Sequence, residues 1–270
     1  MNLTENIEGK YLYKYLPFNL YSIQNLLHHE FWLSQPDLLN DPFEGDFIIE
    51  NFDEIYSKKF LEVLFNLSES IKYSSYVNKS LEEIFDNRNL FTIRLFEFLS
   101  DYIYKNYGTT SFSKNCTSLK MWSHYSDSHK GFVIIYDRKK IEESIGNENL
   151  KLVDVTYKGL PKLELDFNSK KIFFKDDRLL LTGKFNEWSS EEEVRLIKKV
   201  GLESTRDRIQ EYPLDSRLGI IYGYRMTDEN IRTIDQIIFS KELKIEHYYA
   251  IKNIERNKML LITTLPPFER

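Results

Sequence analysis

The chain has 270 residues, of which 41% are hydrophobic and 29% charged, an ordinary balance for a globular protein. Its net charge of −5 lacks the basic excess of many nucleic-acid-binding proteins, and its single cysteine excludes an internal disulfide and a cysteine-rich zinc site. There is no signal-peptide pattern and no apolar run long enough for a bilayer, so we expect a cytoplasmic protein without a membrane partner.

The first part of the chain predicts two short strands around a helix, followed by a loop with a defined shape. Residues 11–15 have the composition of a strand that ends before Pro17, residues 20–30 have helical spacing, and residues 31–34 form a second strand. The loop then carries Asn40, Asp41 and Glu44, and we expect a fixed turn because Asn and Asp hydrogen-bond their own backbone.

Residues 52–106 have a different sequence pattern, with apolar residues at helical spacing. We interpret them as a helical insertion. Such helices act as a lid, as a surface for a protein partner, or as support for the core. Core support is the most common role of amphipathic helices in a globular domain.

A central stretch, residues 109–137, contains the densest group of titratable side chains between two predicted strands. Residues 109–113 and 132–136 are the strands, and Thr117 and Ser118 offer hydroxyl groups that cap a short helix between them. We expect Trp122 to lie in the core, since it follows Leu119 and Met121. The polar or aromatic candidates for a site here are Trp122, His124, Tyr125, His129 and Lys130.

The later part of the chain contains a second polar group. We predict a strand at residues 151–157 and a helix within residues 163–181. If residues 191–197 are extended, Glu191, Glu193 and Arg195 lie on one face, because side chains of a strand alternate. This pattern is typical of a charged edge strand and equally of a functional site. A strand at residues 218–223, a helix capped by Thr227 and a final hairpin complete the chain.

Short strands mixed with helices, without a regular alternation, predict an α+β fold. We expect a single domain with a central mixed or antiparallel sheet, flanked by helices and by the helical insertion. We also expect the loop at Asn40, the region of residues 122–130 and the strand of residues 191–195 to line one pocket, because these are the densest polar groups in the chain.

The ordered motifs resemble those of DUF2971, a bacterial and phage-related family named for its unknown function. The resemblance covers nearly the whole chain and implies one domain over residues 1–270, with a place in phage defence. The motifs that carry it are Tyr13-Lys14-Tyr15, Asn40-Asp41-Pro42-Phe43-Glu44, Ser111-Phe112-Ser113, Met121-Trp122-Ser123-His124-Tyr125, His129-Lys130-Gly131, Trp188 with Glu191, Glu193 and Arg195, and Tyr222-Gly223-Tyr224-Arg225.

The order of Lys14, Ser111-Phe112-Ser113 and Glu191-Glu192-Glu193 also resembles the motifs of ADP-ribosyltransferases, although Lys14 stands where that superfamily has Arg or His. The resemblance implies NAD as the cofactor, and cleavage of its nicotinamide bond develops an oxocarbenium-like charge. Glu193 would stabilise that charge and Glu191 would orient or deprotonate the acceptor. The implied NAD-contacting residues are Lys14, Tyr15, Ser111, Ser113, Trp122, His124, Tyr125, His129, Lys130 and Arg195.

Two other functions are compatible with the same residues. A metal-dependent nuclease or phosphoryl hydrolase would place Asp41, Glu44, Glu191 and Glu193 around Mg²⁺ and Lys130 on the phosphate. A non-enzymatic binding or regulatory module would use the aromatic central stretch to hold a small molecule, a nucleotide or a protein. We expect no zinc site, because His124 and His129 are five residues apart and do not share a helix face.

Overall fold

A large mixed sheet organises the fold, in a computed structural model that describes residues 9–67, 81–146, 149–168, 172–175, 180–200, 205–255 and 258–263. In chain order the strands are β1 (Tyr11–Leu16), β2 (Glu30–Trp32), β3 (Ile48–Ile49), β4 (Tyr107–Ser113), β5 (Phe132–Asp137), β6 (Leu150–Asp154), β7 (Lys162–Leu163), β8 (Leu165–Phe167), β9 (Ile172–Phe174), β10 (Glu193–Lys199), β11 (Ile209–Glu211), β12 (Arg217–Tyr222), β13 (Glu246–Asn253) and β14 (Lys258–Ile262).

Helices cover both faces of the sheet, and the described residues between β3 and β4 include four of them. They are α1 (Leu20–His28), α2 (Phe52–Ile55), α3 (Lys58–Leu67), α4 (Leu81–Asp86), α5 (Arg88–Asn106), α6 (Leu119–Tyr125), α7 (Arg138–Glu143) and α8 (Asp228–Ser240). In the part of the chain that the structure describes, none of them is long and apolar enough to cross a membrane.

The main sheet has eight strands in the order β14-β13-β12-β5-β1-β4-β10-β6. Neighbouring strands are antiparallel, except for the parallel pair β12 and β13. Strand β5 is buried on both faces because its sequence is a continuous apolar run. The mixed eight-stranded sheet and the helices that flank it confirm the predicted α+β class with a mixed central sheet.

Side chains on the two faces of the sheet belong to separate hydrophobic clusters. Ile134 of β5 packs in a cluster that also contains Leu12 of β1 and Ile234 of α8. Ile135, the next residue of β5, packs in the cluster that holds Trp122 of α6. The alternation follows from the strand geometry, which directs successive side chains to opposite faces. The sheet is therefore buried on both sides.

The predicted helices between residues 52 and 106 are present as α2 to α5, with residues 68–80 outside the described part. Their apolar side chains form a third cluster with the short strands β7 and β8. Phe91 and Leu95 of α5 are fully buried in it, together with Leu163 of β7. These helices thus contribute core to the domain.

The helix predicted within residues 163–181 is wrong over the residues that the structure describes. Short strands β8 and β9 pair there as a small hairpin, and β7 pairs with β3. The physical reason is the alternation of apolar and acidic residues from Leu163 to Phe167, which has the period of a strand. Residues 169–171 and 176–179 of this segment lie outside the described part.

Other predicted elements are confirmed with small shifts of their ends. Ser118 caps α6 and Thr227 caps α8, each accepting a hydrogen bond from a backbone N–H of the first turn. The final pair of strands is an antiparallel hairpin, β13 and β14. Glu191 differs from the prediction, because it lies in a 3-10 turn (Asn186–Glu191) and the strand begins only at Glu193.

Candidate functional site

Three neighbouring strands of the sheet build one wall of the candidate site. Strand β10 pairs with β4 so that Glu193 lies opposite Ser113 and Arg195 opposite Ser111. Cross-strand partners share a face of the sheet, which brings these four side chains to the same side. On the other edge of β4, β1 pairs at a single position, Tyr13 with Ser113, and then turns away. The sheet therefore opens between β1 and β4.

Arg195 is the centre of a buried group of charges beside this opening. Its guanidinium is fully buried and binds Glu193 through Nε–Oε1 at 2.7 Å and Nη2–Oε2 at 3.0 Å. It also binds Glu44 through Nη2–Oε2 at 2.8 Å and through Nη1–Oε1, and it donates to the carbonyl oxygen of Leu181 at 2.8 Å. The planar fork of donors suits two carboxylates at once.

Lys184 is the second cation of the group. Its ammonium lies 2.8 Å from Glu191 Oε2 and 2.9 Å from Glu193 Oε2, and the side chain is almost completely buried. The ring of Trp188 lies 5.2 Å from the same ammonium. We call these five residues, Glu44, Lys184, Glu191, Glu193 and Arg195, the charged cluster. Sequence reasoning missed Lys184 as a site residue, although it stands in the same polar segment as Glu191.

The surrounding charges keep the carboxylate of Glu193 ionised. Burial alone would raise its pKa, but Arg195 and Lys184 outweigh that effect and lower the pKa of Glu193 to about 2. The hydroxyl of Ser111 adds a hydrogen bond to the same carboxylate. The pKa values of Arg195 and Lys184 are raised in turn by their carboxylate partners, against the effect of burial. At neutral pH all three groups are charged.

Tyr125 joins the end of α6 to the charged cluster and to the loop at Asn40. Its hydroxyl donates to Glu191 Oε1 and accepts a hydrogen bond from Asn40 Nδ2 at 2.8 Å. Burial and the Glu191 carboxylate raise the pKa of Tyr125 far above its usual value, so the hydroxyl keeps its proton. Met121 lies one helical turn earlier on α6 and faces the same space.

Lys14 occupies the opening between β1 and β4. Its ammonium donates to Thr110 Oγ1 at 2.6 Å and to the carbonyl oxygen of Ser111 at 3.1 Å. The ring of Phe112 lies 5.2 Å away. Burial lowers the pKa of Lys14 to about 8, although Glu193 acts in the opposite direction. Lys14 is therefore a cation that gains from any further anion brought beside it.

These residues enclose a pocket of about 180 Å³, which we call the carboxylate pocket. Its size suits a fragment of a ligand, because sites for whole drug-sized molecules are typically about 300–1,000 Å³. The site residues expected from the sequence that line it are Lys14, Tyr15, Asn40, Ser111, Ser113, Tyr125, Glu191, Glu193 and Arg195. Lys184 and Met121 line it as well.

Two hydroxyl groups of the pocket lining donate hydrogen bonds to backbone carbonyl oxygens. Ser113 is fully buried, and its hydroxyl donates to the carbonyl oxygen of Glu191 at 2.6 Å. Tyr15 donates its hydroxyl to the carbonyl oxygen of Asn115 at 2.8 Å. These bonds fix the turn that carries Glu191 and the chain that leaves β4.

Six expected site residues lie outside the lining of this pocket: Glu44, which is bound to Arg195, and Trp122, His124, His129, Lys130 and Asp41. Trp122 is completely buried beneath it, where Nε1 donates to the carbonyl oxygen of Cys116 at 2.9 Å. His124 and Lys130 are exposed, and His129 stacks on the Trp122 ring with centroids 6.3 Å apart. Asp41 shapes its own turn by accepting a hydrogen bond from the backbone N–H of Phe43 at 3.0 Å.

The carboxylates of the charged cluster are bound to cations and do not converge on a common empty point. Of the residues that the hydrolase interpretation requires, Glu191 and Glu193 line the pocket, whereas Asp41, Glu44 and Lys130 do not. Over the described ranges, no group of three or more His, Cys, Asp or Glu side chains has an arrangement that could hold a metal ion.

Comparison with known proteins supports the resemblance to an uncharacterised family. The model of the family described as "Protein of unknown function (DUF2971)" matches residues 121–196, from α6 to β10. The matched stretch contains Tyr125, Lys184, Glu191, Glu193 and Arg195. Neither the search of curated proteins nor the search of solved structures finds a match.

Proposed function

We propose that the carboxylate pocket cleaves the bond between nicotinamide and ribose in NAD and transfers the ADP-ribosyl group, as an ADP-ribosyltransferase-like enzyme. The observation that carries the proposal is the carboxylate of Glu193, which is ionised and rigidly held on a pocket wall beside the Ser111 strand. The strands that carry Lys14, Ser111 and Glu193 are also neighbours in the sheet, as a shared site requires.

The chemistry needs a fixed negative charge next to a cation that exists only in the transition state. When the glycosidic bond breaks, nicotinamide leaves with the bonding electron pair and positive charge develops on the ribose. A preorganised carboxylate stabilises that charge without further rearrangement. Arg195 holds Glu193 in one position through two hydrogen bonds of 2.7 and 3.0 Å. Lys184 adds an ion pair at 2.9 Å.

In the proposal, Glu191 is the group that acts on the acceptor. It lies on the same pocket wall, held by Tyr125 and Lys184. In the proposed reaction a nucleophile attacks the anomeric carbon of the ribose, and its proton passes to the Glu191 carboxylate. Cytoplasmic location and a role in phage defence belong to the same proposal and rest on composition and on the resemblance.

The test compares wild type with Glu193→Gln. The substitution leaves Glu44 paired with Arg195 and Glu191 paired with Lys184, so we expect the variant to fold, which thermal melting checks. Removal of a charge that acts on the transition state lowers turnover more than substrate binding. Each protein is incubated with NAD and cell lysate, and free nicotinamide is measured. We expect release by wild type and a loss of at least about 100-fold in the variant, the scale of one electrostatic stabiliser.

Glu142→Gln is the matched control, because Glu142 is an exposed carboxylate paired with Arg138 on α7. The substitution makes the same change of charge outside the pocket lining, and the variant is expected to keep wild-type turnover. No nicotinamide release by wild type, or full activity of a folded Glu193→Gln protein, would contradict the proposal. Parallel incubation with Mg²⁺ and nucleic acid tests the hydrolase alternative, and inactivity in both assays favours the binding module.

A further inference from the structure

A second cavity lies against the first, on the α1 side of the sheet. It measures about 690 Å³, and we call it the aromatic cavity. Helix α1, strand β2 and the opening between β1 and β4 form its walls. Three residues, Lys14, Ser34 and Thr110, line both this cavity and the carboxylate pocket. Lys14 is the one charged residue shared by the two linings.

Two aromatic rings on the wall of this cavity are largely exposed. Trp32 of β2 is 51% exposed and Tyr21 of α1 is 80% exposed. Neither ring stacks on another aromatic ring of the described residues. Pairing of Trp32 with Ile209 of β11 fixes the backbone that carries the indole. Rings held in this way are platforms on which a planar group can stack.

Polar groups beside the rings match the edge of a nucleobase. Asn25 donates through Nδ2 to the carbonyl oxygen of Glu30, which fixes its amide, and its buried Oδ1 has no hydrogen-bond partner among the described residues. Gln24, whose side chain is an amide, and Glu30, whose side chain is a carboxylate, are among the residues that line the same cavity. Amide and carboxylate oxygens suit the exocyclic amine of a purine as hydrogen-bond acceptors.

We propose that the aromatic cavity binds an adenine nucleotide, with the purine on Trp32 and Tyr21 and the phosphate at Lys14. The identification of this nucleotide as the adenosine half of NAD rests on the proposed function. The shared position of Lys14 then places the phosphates between the aromatic cavity and the carboxylate pocket, where the nicotinamide end reacts.

The experiment measures binding of AMP and of adenosine by isothermal titration calorimetry at pH 7. Loss of one base–aromatic stack typically weakens binding by about 5-fold to 150-fold, so Trp32→Ala is expected to weaken both ligands in that range. Trp32→Phe keeps a ring and is expected to restore most of the affinity. Phe239→Ala, which removes another aromatic ring with 86% exposure outside both linings, serves as the matched control with wild-type affinity.

Lys14→Met separates the phosphate from the base. It is expected to weaken AMP and to leave adenosine unchanged, because only AMP carries the anion. Wild-type affinity for AMP is expected to fall between pH 7 and pH 9, as Lys14 loses its proton near its pKa of about 8. Adenosine affinity is expected to stay constant over the same range.

Failure of this proposal and failure of the NAD proposal give different results. Wild type that binds no AMP, or Trp32→Ala that binds AMP as wild type does, overturns the nucleotide site even if nicotinamide is released. AMP binding that depends on Trp32 supports the site even if no nicotinamide is released. Unchanged AMP binding in a folded Lys14→Met variant overturns the placement of the phosphate.

Discussion

Replacing Arg195 by methionine is expected to destabilise the protein more than any other single change in the charged cluster. Methionine keeps much of the side-chain length but removes the guanidinium that binds Glu44 and Glu193. Three carboxylates then remain around Lys184 as the one cation of the cluster. Removal of one partner from a buried ion pair typically costs about 3–5 kcal/mol, because the other charge stays buried without compensation.

The pH dependence of the unfolding free energy provides a second test of the same reasoning. In wild type, the lowered pKa of Glu193 stabilises the folded state above about pH 4.5, and this contribution is lost as the pH falls toward 2. In Arg195→Met, burial without the guanidinium raises the pKa of the same carboxylate above its ordinary value. Protonation of this carboxylate on acidification then removes part of the destabilisation that the substitution causes at neutral pH. The difference in unfolding free energy between the two proteins therefore narrows as the pH falls.

Urea unfolding at pH 7 and at pH 5, followed by circular dichroism, measures both effects. Arg138→Met is the matched control, because Arg138 also binds two carboxylates, Glu142 and Asp154, whose side chains are 46% and 43% exposed. Exposed ion pairs contribute at most about 1 kcal/mol. A loss in Arg195→Met no larger than in the control, or a loss that stays constant on acidification, would refute the reasoning about the cluster.

Two further stability predictions concern apolar packing and a close backbone contact. Trp122→Ala is expected to cost about 3–5 kcal/mol, because the indole is completely buried, and Trp122→Phe less; equal melting temperatures for Trp122→Ala and wild type would contradict this. Gly131→Ala would place Cβ 2.1 Å from the carbonyl oxygen of Leu16, whereas Cβ at Gly146 meets nothing within 4 Å. We expect a lower melting temperature for Gly131→Ala alone, and similar values for both variants would count against it.

Much of the fold follows from local sequence patterns. The run from Phe132 to Tyr136 is apolar over the length of a strand, and the structure buries it on both faces. Thr227 followed by two acidic residues marks the start of α8 in both sequence and structure. In contrast, the prediction of a helix within residues 163–181 was wrong because it did not take account of the strand-like alternation at Leu163 and Leu165.

The site was predictable only in part because its geometry depends on turns. Glu192 has a left-handed backbone with φ of 45°, so Glu191 reaches the pocket from a turn and not from the strand. Lys184 reaches Glu193 across that same turn, a contact that no spacing rule indicates. On α6, residues 121 and 125 both line the pocket because they lie one helical turn apart.

The residues around the opening between β1 and β4 are far apart in the sequence, and this separation determines when the site can form during synthesis. Lys14 and Thr110 are 96 residues apart, Asn40 and Tyr125 are 85 apart, and Glu44 and Arg195 are 151 apart. Contacts between distant residues require large loops to close, and they slow folding relative to local contacts. A nascent chain cannot assemble this pocket before Arg195 has left the ribosome, so any activity at the pocket begins only after that residue has been synthesised.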